Sequence, residues 1–229
     1  MKKIAILSGA GISAESGITT FRDSNGLWEN YDVTEVASIE GWYRNPALMI
    51  DFYNQRRKQL ADCEPNEAHK IIARMEEQYE VTVVTQNVDN LHERAGSSHI
   101  IHLHGELTKV CSEKGKCFVK DIEYAAMQYG DLAEDGELLR PFIVWFGESV
   151  PLLEKGIEAV AAADILIIIG TSLNVYPAAG LVSYARQNTQ IYVIDPKEVH
   201  HPVGRSVIFI QEKATKGMDF LWKKLCNPF

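Results

Sequence analysis

The sequence predicts a doubly wound α/β fold, in which helices cover both faces of a mainly parallel sheet. Several short apolar runs rich in Val and Ile show no alternation of apolar and polar residues, which is typical of strands buried on both faces. These runs occupy 81–85, 142–146, 165–169, 191–194 and 207–210. Helical stretches lie between them at about 66–78, 153–162, 177–188 and 216–226. This alternation of strands and helices indicates a Rossmann-like sheet.

A first strand and a glycine-rich turn open the chain. The strand spans 2–7 (KKIAIL), the turn spans 8–13 (SGAGIS), and a helical turn follows at 14–17. Glycines let backbone N–H groups approach a pyrophosphate, and a following helix N-terminus favours negative charge. The third glycine of the dinucleotide motif is replaced by Ala14, which some versions of the motif allow. The turn therefore predicts a phosphate site, and an ordinary strand–helix connection is the alternative.

Two segments, 24–62 and 107–140, interrupt the alternation. The first contains a helix that Asn45 can cap, with Pro46 at its first position. The second is polar and mixed. We expect the two segments to form a smaller helical domain, built as two insertions, with a ligand cleft between it and the large Rossmann-like domain. The predicted boundaries are about 1–24, 63–106 and 141–229 for the large domain, and about 25–62 and 107–140 for the small domain.

Composition and charge exclude several classes of protein. A net charge of −8 over 229 residues argues against a general nucleic-acid binder and suits small-molecule chemistry or basic protein substrates. No apolar run approaches the ~18 residues that cross a bilayer, and the first apolar run is too short for a signal peptide. We therefore expect a cytoplasmic protein with reduced cysteines. The four cysteines are Cys63, Cys111, Cys117 and Cys226.

Polar side chains follow the strand at 81–85. Gln86, Asn87 and Asp89 come directly after it, and the carboxyl end of a strand is where an open α/β sheet binds its ligand. Side-chain amides and a carboxylate can hold a carboxamide and ribose hydroxyls. The alternative is that Asn87 or Asp89 caps the helix that follows.

Two histidines stand two residues apart in the run His102-Leu103-His104. In a strand they point to opposite faces, so they cannot easily share a metal ion. We expect one to be buried and hydrogen-bonded, and the other to lie in the cleft as a general base. The alternative is a pair of structural histidines. Further polar groups at strand ends, for which ordinary turn chemistry is the alternative, are Gly170, Thr171, Ser172 and Asp195.

Taken together, the motifs resemble those of the sirtuins, which are NAD-dependent protein-lysine deacylases. The motifs are GAGIS with SGI and FR after it, TQNVDNLHERAG, HLHGEL, RPFIVWFGE and GTSLNVYPAAG. They occur in the sirtuin order and approximate spacing over about residues 4–225. Each motif alone is weak, whereas the complete set is specific.

The resemblance implies a site for NAD, for an extended peptide and for catalysis. His104 matches the catalytic histidine, and Asn87 and Asp89 match the pair in the nicotinamide pocket. The implied NAD-binding residues are Gly9, Ala10, Gly11, Ser13, Phe21, Arg22, Gln86, Asn87, Asp89, Gly170, Thr171, Ser172, Asp195 and Ala214. The resemblance also implies two segments between which an extended peptide binds by strand addition. Their residues are Val144, Phe146, Gly147 and Glu148 in one segment, and Asn174, Val175 and Tyr176 in the other.

The resemblance also implies the reaction. The acyl-lysine carbonyl oxygen attacks C1′ of the nicotinamide ribose, nicotinamide leaves, and His104 takes a proton from a ribose hydroxyl. Water then completes the release of free lysine and O-acyl-ADP-ribose. A histidine near its unperturbed pKa can act in this way at neutral pH. NAD is consumed as a co-substrate.

The helix that follows Pro46 carries a candidate receptor for an acidic acyl group. Tyr53 and Arg56 are at i and i+3, hence on one helix face, and a phenol beside a guanidinium can bind a carboxylate. The pair resembles the Tyr-x-x-Arg of class III sirtuins, which remove succinyl, malonyl and glutaryl groups, and Ala37 matches a small residue that widens their pocket. The alternative is a solvated basic turn beside a core tyrosine, and the spacing does not exclude Arg57 as the ligand.

The sequence departs from most sirtuins in its cysteines. Cys111 and Cys117 stand with five residues between them, and no second pair precedes Arg140. Tetrahedral structural zinc needs four ligands, so we expect no zinc. Residues 118–135 then hold the small domain by packing, with a helix over 122–129.

The sequence thus predicts a monomeric NAD-dependent enzyme that removes acyl groups from protein lysines and prefers acidic ones. The alternatives are a plain lysine deacetylase, a mono-ADP-ribosyltransferase that uses the same NAD site, and a non-catalytic NAD or ADP-ribose sensor. A dehydrogenase is disfavoured because the predicted site has no proton-relay set for hydride transfer. No nucleic-acid or membrane partner is expected.

Overall fold

The structure, a computed structural model, describes residues 1–19, 32–199 and 206–226. Its main sheet has six strands: Lys3–Ser8 (β1), Glu80–Thr85 (β2), Ile100–His102 (β3), Ile165–Ile169 (β7), Gln190–Ile194 (β8) and Val207–Ile210 (β9). All pair in parallel, in the order β3-β2-β1-β7-β8-β9. The strand order reverses direction between β1 and β7, and the crevice at the carboxyl ends of such strands is where α/β sheets bind ligands.

Helices cover both faces of this sheet, as the unbroken apolar strands predict. Along β1, Ile4 and Ile6 pack into one core, while Ala5 and Leu7 pack into another on the opposite face. The first core is covered by the helices Glu67–Met75 (α4) and Ala214–Cys226 (α7). The second is covered by Leu153–Ala162 (α6) and a 3-10 helix at Ala178–Tyr184. The predicted α/β fold class is confirmed.

The remaining elements form a smaller body with its own apolar core. The exceptions are a short helix at Leu91–Ala95 (α5) between β2 and β3 and two 3-10 turns after β1, Ala10–Ile12 and Ala14–Ser16. Its helices are Val33–Val36 (α1), Ile39–Arg44 (α2) and Pro46–Ala61 (α3). A three-stranded antiparallel sheet completes it, with strands Gly105–Ser112 (β4), Lys120–Asp121 (β5) and Leu139–Ile143 (β6) in the order β5-β4-β6. The smaller part is therefore a mixture of helices and sheet. The domain boundaries themselves stay a prediction.

The predicted buried strand at 142–146 is wrong in both bounds and sheet. The chain forms β6 instead, and β6 pairs antiparallel with β4. Pro141 lies within it, and a proline cannot donate to a sheet ladder. Ile143 and Trp145 are apolar because they pack into the core of the smaller body. An apolar run shows that a segment is buried, but not which core buries it.

The predicted helix at 122–129 is also absent: the described chain forms turns there. Glu123 has a left-handed backbone with φ of +51°, which a helix does not allow. The Asn54 side chain on α3 donates to the Met127 carbonyl (2.8 Å) and accepts from its amide (3.1 Å). These backbone groups therefore bond to another element, which hydrophobic spacing along the segment cannot reveal. The predicted helix at 177–188 is shorter and is a 3-10 helix at Ala178–Tyr184.

A charged cluster ties the small sheet to the segment after β6. Arg140 donates both terminal nitrogens to Glu148, at 2.8 and 3.0 Å, and Lys116 lies 2.9 Å from the same carboxylate. The Arg140 side chain is only 2% exposed. Its guanidinium carbon lies 3.5 Å from the centroid of the Trp145 ring. This cluster supplements the packing that the sequence predicts for the smaller body.

No helix within the three described ranges is both long enough and apolar enough to span a bilayer.

Candidate functional site

The glycine-rich turn after β1 packs directly against the turn after β7. A Cβ atom built on Gly9 would lie 2.7 Å from the Gly170 oxygen, and one on Gly11 would lie 2.7 Å from the Gly170 Cα. Gly170 has φ of +61°, and a Cβ there would lie 2.2 Å from the Ile12 amide nitrogen. The three glycines are needed because the two backbones touch.

Two of the amides in this turn are already occupied. Gly9 donates its backbone N–H to the Ile169 carbonyl (3.0 Å), and Gly11 donates to the Gly170 carbonyl (2.8 Å). These two hydrogen bonds join the turn to the end of β7, so neither amide is available to bind a phosphate. The glycines therefore shape the turn, and the expected cradle of glycine amides is only partly formed.

Ser13, Asn87 and Asp89, which the motifs implicate in NAD binding, form one buried hydrogen-bond network. The Asn87 side-chain amide donates to the Gly9 carbonyl and to Ser13 Oγ, both at 3.2 Å. Ser13 Oγ donates in turn to Asp89 Oδ2 at 3.0 Å. Asp89 Oδ1 accepts from the Leu91 amide at 3.1 Å, so Asp89 also serves as a helix cap, which is its alternative interpretation. Burial raises the pKa of Asp89, and the hydrogen bonds from Leu91 and Ser13 oppose that rise.

Gln86 and His104 lie next to this hydrogen-bond network. Gln86 Nε2 donates to Thr171 Oγ1 at 3.1 Å, which joins the ends of β2 and β7. His104 Nδ1 donates to the Gln86 carbonyl at 3.0 Å, so the His104 Nε2 lone pair is the one that is left to act as a base. Burial lowers the pKa of His104 below its usual value, and the Gln86 carbonyl partly offsets this. The expectation of an unperturbed pKa is corrected.

The two motif histidines differ as the sequence predicts. His102 is buried; its Nδ1 donates to the Asn87 carbonyl at 3.0 Å and its Nε2 lies 2.6 Å from Glu93 Oε1. Burial alone would lower the pKa of His102, but Glu93 and the Asn87 carbonyl raise it overall. His102 is therefore structural, and it holds the backbone of a predicted catalytic residue.

A second buried chain of hydrogen bonds, which sequence reasoning missed, holds the Asn87 backbone from the other side. Thr85 Oγ1 accepts from the Asn87 amide (3.0 Å) and from Ser8 Oγ (2.9 Å). Ser8 Oγ has a single proton, so it accepts from His92 Nε2 at 3.0 Å. Hydroxyls at the last positions of β1 and β2 were the available signal, because both strands end at the ligand edge.

The predicted peptide-binding segment begins beside His104. Val144 donates its backbone N–H to the His104 carbonyl at 2.9 Å. Phe146 pairs with the segment that follows α1: it donates to the Ala37 carbonyl (2.9 Å) and accepts from the Ile39 amide (3.0 Å). Gly147 follows with φ of +91°. Backbone hydrogen bonds therefore hold the segment to His104 and to the residues that follow α1.

The other predicted peptide-binding residues lie after β7. Tyr176 is 74% exposed and Phe146 is 47% exposed, so each segment presents an aromatic ring to solvent. Val175 is half-buried beside Tyr176. Large exposed aromatic side chains next to a site are typical of a binding surface.

The candidate acyl receptor lies on α3. Tyr53 is buried, and its hydroxyl accepts from Trp145 Nε1 at 2.9 Å. Arg56 is half-buried, and a terminal nitrogen donates to Gln59 Oε1. Tyr53 and Arg56 are three residues apart in α3, so they lie on one side of the helix. Arg57 is fully buried, its guanidinium nitrogens have no hydrogen-bond partner among the described residues, and burial lowers its pKa to about 10.

The remaining predicted site residues are placed as follows. Ser172 is exposed after β7, Asp195 follows β8 and accepts from the Lys197 amide at 2.9 Å, and Ala214 is buried at the start of α7. Ala10 begins a short 3-10 helix in the glycine turn. Phe21 and Arg22 lie outside the described residues.

These positions can be compared with known proteins. Residues 9–177 match the family model described as the Sir2 family. The chain belongs to the Sir2 family, the sirtuins. The membership predicted from the sequence motifs is confirmed.

Two curated relatives match this sirtuin over almost its whole length. A Bacteroides thetaiotaomicron protein named NAD-dependent protein deacylase is 54% identical over 233 residues, covering 100% of this chain and 99% of the relative. A Helicobacter pylori protein with the same name is 56% identical over 225 residues, covering 98% of each.

Solved sirtuin structures share the fold. A Sir2 homologue solved as an NAD complex has a TM-score of 0.87 and 37% identity, covering 98% of this chain and 90% of that one. A Sir2 protein solved with an acetylated peptide has a TM-score of 0.83 and 27% identity, and the match covers 98% of this chain and 93% of that one.

The donors and acceptors of this sirtuin suit NAD. A carboxamide NH2 needs acceptors, and the Asp89 carboxylate and the Asn87 side-chain oxygen supply them, whereas both Asn87 side-chain N–H groups already donate to Gly9 and Ser13. Gln86 and Thr171 add polar atoms at the neighbouring strand ends. The residues therefore fit the nucleotide that the motifs predict.

The two cysteines of the smaller body, Cys111 and Cys117, lie in different surroundings. Cys111 is buried in β4 and Cys117 is exposed, and both are free thiols. Burial raises the pKa of the Cys111 thiol to about 11. Within the described residues, three potential ligand atoms come within 4.8 Å only at Glu93, His102 and Glu106. The absence of zinc stays a prediction.

Proposed function

We propose that this sirtuin removes acyl groups from protein lysines at the expense of NAD and prefers acidic groups such as succinyl and malonyl. The coarser activity, NAD-dependent protein deacylation, is the one for which its relatives are named, and it accompanies its family membership. One observation supports the finer preference: the buried phenol of Tyr53 and the half-buried guanidinium of Arg56 stand three residues apart on α3, hence on one side of the helix.

His104 is assigned the general base. NAD supplies the ribose carbon that nicotinamide leaves and the hydroxyl that must lose a proton. His104 Nδ1 is held by the Gln86 carbonyl, which fixes the tautomer and turns Nε2 into the acceptor. Because burial lowers its pKa, His104 is neutral near pH 7 and ready to take that proton.

Asn87 and Asp89 are assigned the nicotinamide pocket. Thr85 holds the Asn87 amide and His102 holds its carbonyl, so the peptide on each side of this residue is fixed. Ser13 links the two side chains. Preorganised polar groups need no rearrangement during the reaction, which is where most of their catalytic effect arises.

Tyr53 and Arg56 are assigned the acyl carboxylate. Arginine binds a carboxylate through two parallel hydrogen bonds, and the phenol adds a third donor. We assign Arg56 rather than Arg57 because Arg56 stands at the Tyr-x-x-Arg position and is half-buried, whereas the Arg57 side chain has no exposed surface. Ala37 is the small residue that leaves room for the longer acyl chain.

The partner is an acylated lysine in an extended peptide segment. The segments at 144–148 and 174–176 offer backbone and exposed aromatic rings on either side of it. In strand addition the peptide is bound through its backbone, so we expect deacylation to depend little on the surrounding peptide sequence. We further propose a monomeric, cytoplasmic enzyme.

The test is to measure nicotinamide release with succinyl-lysine, acetyl-lysine and unmodified peptides of one sequence. We expect a higher kcat/KM for the succinyl peptide and no stimulation by the unmodified one. Arg56→Met should lower the succinyl-to-acetyl ratio by about tenfold or more, since a hydrogen bond to a charged group contributes ~1.5–3 kcal/mol.

Lys58→Met is the matched control, because Lys58 is an exposed cation on the same helix. It should leave the ratio unchanged. Equal kcat/KM for succinyl and acetyl peptides in the unaltered protein would contradict the acidic preference. No peptide-stimulated release at all would contradict deacylation and favour an NAD sensor.

A further inference from the structure

The Tyr53 hydroxyl is oriented by a neighbouring indole. Trp145 Nε1 lies 2.9 Å from the phenol oxygen, and both side chains are buried. An indole N–H can only donate, so the phenol oxygen accepts here and its own proton points elsewhere. Among the residues that the structure describes, no acceptor for that proton is found. Because buried polar groups nearly always form hydrogen bonds, the phenol proton is the donor of this group that remains for a ligand.

Trp145 is itself held from several directions. The Arg140 guanidinium lies over its ring at 3.5 Å, and Trp42 stacks on it with ring centroids 5.3 Å apart. Its backbone N–H donates to Glu148 Oε2 at 2.8 Å. The indole N–H is therefore directed by the charged cluster of the smaller body.

The phenol stays a donor at neutral pH. Burial raises the pKa of Tyr53 well above its usual value, while the Trp145 hydrogen bond and the nearby cations only partly oppose the rise. A neutral phenol can donate to a carboxylate, whereas an acetyl group offers its methyl at the same place.

We propose that Trp145 is a specificity-determining positioning residue, which acts through Tyr53: its indole N–H occupies the phenol oxygen and so directs the phenol proton to the carboxylate of an acidic acyl group. This inference rests on the proposed acidic-acyl function. It assigns Trp145 no contact with the reacting atoms, so the chemical step is not its role.

The test is Trp145→Phe, with kcat/KM measured for succinyl and acetyl peptides. Losing one neutral hydrogen bond should lower the succinyl-to-acetyl ratio by about threefold to tenfold. Trp42→Phe is the matched control: its indole is in the same stack, but its N–H donates to Glu113 Oε1 at 3.0 Å, so the ratio should not change.

A double-mutant cycle with Tyr53→Phe separates positioning from packing. If Trp145 acts through the phenol, Trp145→Phe has no further effect on the ratio when Tyr53 is already Phe. Replacing Trp145 by 3-benzothienylalanine provides a second variant, because it keeps the ring size and stacking and removes only the N–H. It should lower the ratio as much as Phe does.

Failure of the inference can be told from failure of the proposed function. An unaltered enzyme without succinyl preference contradicts the proposed function. A preference that Tyr53→Phe and Arg56→Met abolish, but that both Trp145 replacements keep, overturns the role of Trp145 alone. Equal effects of Trp145→Phe with and without the Tyr53 hydroxyl overturn it as well.

Discussion

At the scale of single residues, the four histidines of the site region differ in what surrounds each ring. His69 and His92 pack edge to face at 4.9 Å in the interior, and burial lowers the pKa of both. His102 is paired with Glu93, whereas His104 has one nitrogen held by a carbonyl and the other assigned to proton transfer. Of the four, His104 is therefore the histidine to which we assign the proton transfer.

The pH dependence of deacylation should report the lowered pKa of His104. Because burial favours the neutral ring, the base form persists below the ordinary histidine value of 6.5. We expect the acid limb of log kcat/KM to have its inflection below pH 6.5, measured by nicotinamide release with a fixed acyl peptide. His104→Asn should abolish deacylation.

His99→Asn is the control for this profile, since His99 is exposed and has no assigned role in the site. Its acid limb should coincide with that of the unaltered protein. An inflection above pH 6.5 would contradict a buried, neutral His104 as the base.

At the scale of elements, α3 determines where the acyl receptor stands. Asn45 caps it, with Oδ1 accepting the Leu48 amide at 3.1 Å, and Pro46 is its first residue. Both are local signals, so the helix start was predictable. The segment at 122–129 offers no such signal, because its Met127 backbone is bonded to Asn54 of α3.

Removing the cap should destabilise the protein by a predictable amount. Asn45→Ala leaves the Leu48 amide unpaired and should lower the free energy of unfolding by ~1 kcal/mol, measured by urea unfolding. Asn45→Asp restores an acceptor at the same place and should recover most of the loss. Equal losses for both variants would show that the cap is not the cause.

At the scale of the whole molecule, the smaller body is braced by a charged cluster. Glu148 joins Arg140, Lys116 and the Trp145 backbone, and so links the small sheet to the peptide-binding segment. Burial alone would raise the pKa of Glu148, but its hydrogen bonds and the two cations lower it overall. A buried charge that loses its partner is costly.

Glu148→Gln should therefore lower the free energy of unfolding by ~3 kcal/mol or more at pH 7, measured by urea unfolding. The lowered pKa means that the Glu148 contribution is present above the unfolded value of about 4.5 and is lost as pH falls through the folded value. The difference in the free energy of unfolding between the unaltered protein and Glu148→Gln should therefore become smaller below pH 4.5.

Glu137→Gln is the control, because Glu137 lies 3.9 Å from Lys114 in an exposed pair. Its effect should stay within about 0.5 kcal/mol. Similar losses in the free energy of unfolding for Glu148→Gln and Glu137→Gln would contradict a special contribution of the buried cluster to stability.

The sequence by itself determined the fold class and the family, and it predicted the members of the site. Unbroken apolar strands such as 165–169 need helices on both faces, and polar residues at strand ends converge because parallel strands end at one edge. Those rules act over a few residues, so Gln86, Asn87 and Asp89 are recognisable from their place along the chain. The spacing of His102 and His104 predicted that the two rings point to opposite faces, and the resemblance to the sirtuins predicted which of them serves the site.

Only the tertiary structure decided which groups hold these residues. The hydroxyls of Ser8 and Thr85 meet across two strands, and Trp145 meets Tyr53 from 92 positions away. The antiparallel partner of β6 and the turns at 122–129 likewise depend on contacts distant in sequence. A pattern of residues records local geometry and burial, but the partner of a buried polar group is set by how separate elements pack.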